Sequence, residues 1–157
     1  MIHKFQIPVG QIGLLSESTV LELFKDGRIA SPFLERLVEL WFDNLKFVDK
    51  KGYDHICLQS GQKYDLKCFT KRGMSFALSS MLGAGRKVDK DVLKEHAETM
   101  IYICCDINDF PNIRIRFADG KELIQKYPNG KIPFSHREKF FEETPCMESG
   151  VRNLTSG

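Results

Sequence analysis

Residues 52–71 read GYDHICLQSGQKYDLKCFTK, two runs rich in strand-forming residues on either side of Ser60-Gly61. This pattern predicts a β-hairpin with a two-residue loop. With Ser60 and Gly61 as the loop, Gln59 faces Gln62, and Asp54 lies directly across from Lys67 and diagonal to Asp65. Side chains alternate along a strand and cross-strand partners share a face, so Asp54, Asp65 and Lys67 converge. His55, Cys57 and Cys68 fall on the opposite face. A slip of one residue would turn one strand's acids away from the other's, so everything drawn from this stretch depends on its register.

Two acids gathered beside Ile56 and Leu58 are more than a stable hairpin needs. The plainer alternative is a solvated face with an incidental Asp-x-Lys string. The surroundings help to choose between the two. The chain has 157 residues, 42% apolar and 28% charged, enough for one domain with a real core. We expect a single domain over residues 1–144 and a C-terminal tail over 145–157. The net charge of +2 is too small to announce nucleic-acid binding by itself, so any basic surface must come from local clustering. Five cysteines without Cys-x-x-Cys spacing suggest neither a zinc site nor a disulfide framework, which suits a reducing, cytoplasmic setting. No run approaches a membrane span or a signal peptide.

Along the chain, residues 3–9 suggest a short strand and 16–25 a short helix closed by Gly27. Ser31-Pro32 reads as the start of a helix to about Phe47, with a core stripe of Leu34, Leu37, Val38, Trp41, Leu45 and Val48. Residues 74–82 suggest a helix ended by Gly83, and Asp89 or Lys90 opens another through about Ala97. Thr99–Ile107 is apolar enough to be a central strand buried on both faces. Asn112–Tyr127 reads as a second hairpin turning at Asp119-Gly120, with Ile113, Ile115 and Phe117 inward and Arg114 and Arg116 on a basic outer face. A short strand at 131–134 and a helix opened by a Ser135/Glu138 capping box follow. The fold class is therefore α/β, a mixed β-sheet flanked by helices.

The helix, the strand with Asp54 and the Asp65-Leu66-Lys67 string together resemble the PD-(D/E)xK nuclease superfamily over residues 31–105. Its core is a helix carrying a Glu, a strand with an Asp, then a strand with Asp/Glu-x-Lys. Tyr53 stands where that pattern often has Pro, and Asp65 replaces the more frequent Glu. The resemblance implies a restriction-endonuclease-like core. It also implies that a helix acid reaches the site, with Glu35 the better fit and Glu39 the substitute.

Hard divalent cations take carboxylate and carbonyl oxygens. Asp54, Asp65 and the Leu66 carbonyl, with Glu35 through a water, would thus hold Mg²⁺, with Mn²⁺ as a substitute. Lys67 would orient or deprotonate the attacking water or stabilise the transition state. Lys71, Arg72, Arg86, Lys87 and Lys90, or the Arg114/Arg116 face, would contact phosphates. His55 and His96 read as structural, and Asp106 and Asp109 as part of a strand-to-loop turn. Gln59 and Gln62 flank the hairpin turn and read as solvated. The expectation is a Mg²⁺-dependent endodeoxyribonuclease, restriction-type and homodimeric on duplex DNA. A branched-DNA resolvase or repair nuclease would use the same residues. A non-catalytic nucleic-acid-binding module and a protein with a bare salt-bridge cluster are the competing classes.

Overall fold

The computed structural model describes residues 1–142; the expected tail and Cys146 lie outside them. The strands are β1 (His3–Gln6), β2 (Leu45–Lys50), β3 (Tyr53–Cys57), β4 (Lys63–Phe69), β5 (Met74–Ser75), β6 (Met100–Asp106), β7 (Asn112–Asp119) and β8 (Lys131–Ile132). The helices are α1 (Glu17–Leu23), α2 (Gly27–Trp41), α3 (Lys90–Glu98), α4 (Gly120–Lys126) and α5 (Arg137–Glu142). Six strands form one mixed sheet in the order β1-β7-β6-β4-β3-β2, with β4 and β6 parallel and the other neighbours antiparallel. β5 and β8 make a small separate ribbon.

As expected, β6 lies inside the sheet and is buried on both sides. Ile103 and Cys105 join Leu66 and Tyr64 of β4 beneath Leu34 and Val38 of α2. Tyr102 and Cys104 face the other way, packing with Phe69, Leu93 of α3, Leu123 of α4 and Phe140 of α5. α2, with Leu21 of α1 packed beside it, thus covers one face, and α3, α4 and α5 cover the other. The parallel β4–β6 pair needs a crossover, and α3 supplies it.

Several boundaries differ from the sequence expectation, each for a local reason. α2 starts at Gly27 because Asp26 is its N-cap, its carboxylate accepting from the Arg28 amide at 2.9 Å. Pro32 therefore lies inside the helix, and Leu45 and Val48 belong to β2 instead of its stripe. Residues 74–82 form no α-helix; β5 and a 3₁₀ turn over Ser79–Met81 take their place. Asp119-Gly120 is no hairpin turn either. Asp119 caps α4, and a Cβ at position 120 would lie 1.9 Å from the Ala97 carbonyl oxygen, so glycine is what lets α4 cross the end of α3.

The largest departure concerns Arg114 and Arg116, which do not form an exposed basic face. Arg116 is only 4% exposed, donates to the Phe140 carbonyl at 2.8 Å and lies over the Phe140 ring at 4.3 Å. Arg114 bonds Asp106 at 2.7 Å and Glu138 at 3.0 Å, with its guanidinium over Phe141 at 5.0 Å. The alternation of Ile and Arg along β7 was read as core against solvent. It is core against helix α5, whose two phenylalanines lie on the cations. Glu138, expected to close a capping box, serves this network instead.

Asp106 is the centre of that network. It is 2% exposed and accepts from both Arg114 and Arg137, while Arg137 also reaches Asp109 at 2.6 Å. Removing one partner of a buried ion pair strands the others' charge. We therefore expect Asp106→Ala to lower unfolding free energy by about 3–5 kcal/mol in urea melts. A loss under about 1 kcal/mol would show that the cluster is solvated in practice.

Candidate active site

The hairpin forms, but with a longer loop than expected. Cys57 and Gln62 close it, so residues 58–61 make the turn, and His55 lies opposite Tyr64 and Ile56 opposite Lys63. The register is offset by two positions from the expected one, so Asp54 is not across from Lys67. An even offset leaves every side chain on its expected face. Continued by count, it sets Asp54 against Asp65.

Past Tyr64 the two strands stop exchanging backbone bonds. The Leu66 amide, which has no β3 carbonyl to reach, donates to the Asp54 carboxylate at 2.9 Å. β3 parts from β4 here, and the gap is filled by a side chain. The Asp54 carboxylate pushes on that of Asp65, and Lys67 Nζ stands 3.2 Å from Asp65 Oδ2.

Glu35 arrives from α2. Burial pushes its carboxyl up to about 7, with the charges of Asp54 and Asp49 adding to the effect and Arg36 and Lys67 opposing it. Glu35 is therefore the helix acid that feels the site. Glu39 stands instead near His55, on which its charge acts. Burial likewise raises Asp65, against the pull of Lys67 and with the push of Asp54. Asp54 thus presses on both Glu35 and Asp65, and half-buried Lys67 opposes the rise of both.

His55 is structural, as expected, and its task can be named. Fully buried, it donates from Nε2 to the Glu35 carbonyl at 2.7 Å and so ties β3 to the turn of α2 that presents Glu35. Burial lowers its pKa, consistent with a neutral ring. Cys57 and Cys68 sit on that same α2 side, free of disulfide, with burial pushing the Cys68 thiol up to about 11.

Lys71, Arg72, Arg86 and Lys87, in the segment between β4 and α3, and Lys90, the first residue of α3, are all exposed. Gln62 donates to the carbonyls of Lys63 and Thr99, which fastens the hairpin end to the start of β6, while Gln59 is exposed. Sequence reasoning passed over Lys63, although alternation alone places it on the face of Asp65 and Lys67; its Nζ lies 4.9 Å over the Tyr53 ring. His96 is also near, within reach of the charges of Lys67 and Lys63. Only the packing of α3 on this face could reveal that.

Among the described residues no three His, Cys, Asp or Glu side chains stand grouped as a ready ligand set for a metal ion. Asp54 is turned to the Leu66 amide and Asp65 to Lys67. The donor chemistry nevertheless fits a hard dication, because the charge that Asp54 exerts on Glu35 and on Asp65 is what such an ion would relieve. No family model, no curated protein and no solved structure matches this chain.

The raised carboxyl groups give a pH signature with a definite sign. A Glu35 that holds its proton up to about 7 in the folded state, and less tightly when unfolded, stabilises the fold fully at acid pH. That stability is lost as pH rises through about 7, and Asp65 acts in the same direction. In EDTA, Tm should fall between about pH 5 and pH 8, and Mg²⁺ should restore it mainly at the alkaline end. Glu35→Gln should flatten the metal-free slope, and a wild-type Tm constant over this range would contradict the crowding.

Proposed function

We propose that this protein is a divalent-metal-dependent phosphodiesterase acting on DNA, an endodeoxyribonuclease with a restriction-endonuclease-like core. What supports the reading is the parting of β3 from β4, where the Asp54 carboxylate accepts from the Leu66 amide, Lys67 pairs with Asp65, and the charge of Asp54 acts on both Glu35 and Asp65. The element order supports it. A helix bearing Glu35 precedes the strand of Asp54, the strand of Asp65-Leu66-Lys67 follows, and α3 leads to the parallel strand β6.

In this reading Asp54, Asp65 and the Leu66 carbonyl hold Mg²⁺, with Mn²⁺ able to replace it and Glu35 joining through water. The bound ion supplies Lewis acidity to the phosphodiester and lowers the pKa of an attacking water. The chain's own groups do the rest. Asp65 gives up its ion pair with Lys67, and the freed ammonium donates to the phosphate oxygens, where charge accumulates in the transition state. Glu35, whose proton leaves near neutrality, takes up a proton from the attacking water.

DNA reaches this gap along Lys71, Arg72, Arg86, Lys87 and Lys90, whose charges neutralise backbone phosphates. Arg114 and Arg116 take no part in that track, since they are committed to α5. Cutting both strands of a duplex together requires two such sites, which a homodimer provides most simply. No helix among the described residues is long and apolar enough to cross a membrane.

The test is cleavage of supercoiled plasmid, linear genomic DNA and a four-way junction, in Mg²⁺ or EDTA. The expected result is metal-dependent cutting that falls at least 100-fold in Lys67→Ala and Asp65→Asn, on the order of an electrostatic stabiliser's contribution. Cutting confined to the junction would redefine the enzyme as a resolvase. Wild-type protein that binds DNA but cuts nothing with any divalent metal would be a binding module.

A further inference from the structure

We propose that Arg72, at the tip of the turn between β4 and β5, reads a guanine edge in the major groove of bound duplex DNA. That the ligand is DNA rests on the nuclease reading. The two strands are joined by Thr70-Lys71-Arg72-Gly73, in which Thr70 and Gly73 exchange both backbone bonds, at 3.0 and 2.9 Å. Lys71 and Arg72 alone make the loop, and both are exposed.

The backbone of this tip is held from three directions. The Arg72 amide donates to Thr70 Oγ1 at 3.1 Å. Gly73 takes the left-handed conformation, with φ +82°, so neither loop residue has to, and both positions accept long side chains. A Cβ on Gly73 would run into the Ile132 carbonyl oxygen, so the turn is set hard against β8. At its foot, Thr70 Cγ2 lies 3.6 Å from where a Cβ on Gly27 would stand, which packs the start of α2 against the end of β4. Such a turn, projecting two cations on a fixed backbone, has the dimensions of a two-stranded ribbon, which the major groove, about 12 Å wide, admits.

The other arginines are already engaged. Arg28 pairs with Asp26 at 2.8 Å, Arg36 lies over the Phe47 ring at 4.0 Å, and Arg86 donates to the Leu82 carbonyl at 3.2 Å. Arg114, Arg116 and Arg137 fasten α5. The Arg72 guanidinium makes no hydrogen bond, ion pair or ring contact among the described residues, and Asp26, beside Gly27, is held by Arg28. Its planar fork of donors matches O6 and N7 of guanine at once, whereas the point charge of Lys71 suits a phosphate. From Lys67 to Arg72 the chain advances five residues, about 16 Å in extended conformation. A duplex rises about 3.4 Å per base pair, so the guanine lies about five base pairs from the phosphate held at Lys67.

Base preference and cutting are measured separately. A pool of randomised duplexes is bound in EDTA by wild type, Arg72→Lys, Arg72→Ala and Lys71→Ala, each shown to be folded by thermal melts, and the bound fraction is sequenced. Wild type should enrich guanine at a fixed position of its site. Arg72→Lys, which keeps the charge and loses the fork, should lower that enrichment about 5-fold or more, as should Arg72→Ala. Lys71→Ala should weaken all sequences alike and reduce the slope of log affinity against log salt by about one. In Mg²⁺, wild-type cuts should fall about five base pairs from the enriched guanine. Binding without base preference, or a guanine preference that survives both Arg72 substitutions, overturns the role of Arg72 even if the protein cuts DNA. Cuts scattered without regard to that guanine overturn its placement relative to the acids. Enrichment that depends on Arg72, in a protein that cuts nothing with any divalent metal, keeps the guanine contact and overturns the nuclease reading. Wild type that binds no duplex overturns both.

Discussion

One backbone amide organises the chemistry of this sheet. Leu66 N–H sits on a strand whose neighbour has turned away, and a buried amide without an acceptor is not tolerated. Asp54 answers it, and in doing so is held facing Asp65. Were β3 to continue alongside β4, the amide would take a main-chain carbonyl and Asp54 would be one more strand side chain. The parting of two strands thus converts a structural requirement into a cluster of acids, and the proposed chemistry follows from that cluster.

The acids are crowded at a cost, and other parts of the molecule hold them in place. His55 binds α2 to β3 through the carbonyl of Glu35 and so acts as a clamp behind the candidate site. On the far side, Arg114, Arg116 and Arg137 fasten α5 to the sheet through Asp106 and the rings of Phe140 and Phe141. Charge is used in two opposite ways in one domain. Around Asp106 it is balanced and structural, and around Asp54 it is unbalanced by design of the fold.

What the sequence made legible follows from periodicity. Alternation placed Asp54, Asp65 and Lys67 on one face and Cys57, Cys68 and His55 on the other, and the apolar run at 100–106 announced its place inside the sheet. The loop length escaped it, because Ser60-Gly61 is a good turn pair whether the loop has two residues or four. The faces survived only because the offset was even. Arg114 and Arg116 were misread because alternation separates two faces without saying what lies on the second. His96 was beyond reach for another reason, since its place depends on how α3 settles across the sheet. Glu35 lay between, since sequence narrowed the choice to two acids and only the path of α2 separated them.

The parallel pairing of β4 with β6 carries one more consequence. Lys63 meets Met100, and the pairing runs on to Phe69 and Asp106, joining segments separated by 37 positions at every step. The hairpin closes over a few residues and can form early, but β4 gains its second neighbour only when that long excursion has closed. During synthesis, a nascent chain emerging as far as Thr99 would already display Glu35, Asp54, Asp65 and Lys67. The candidate site would not yet be set, because the strand that presents two of them would still be an open edge.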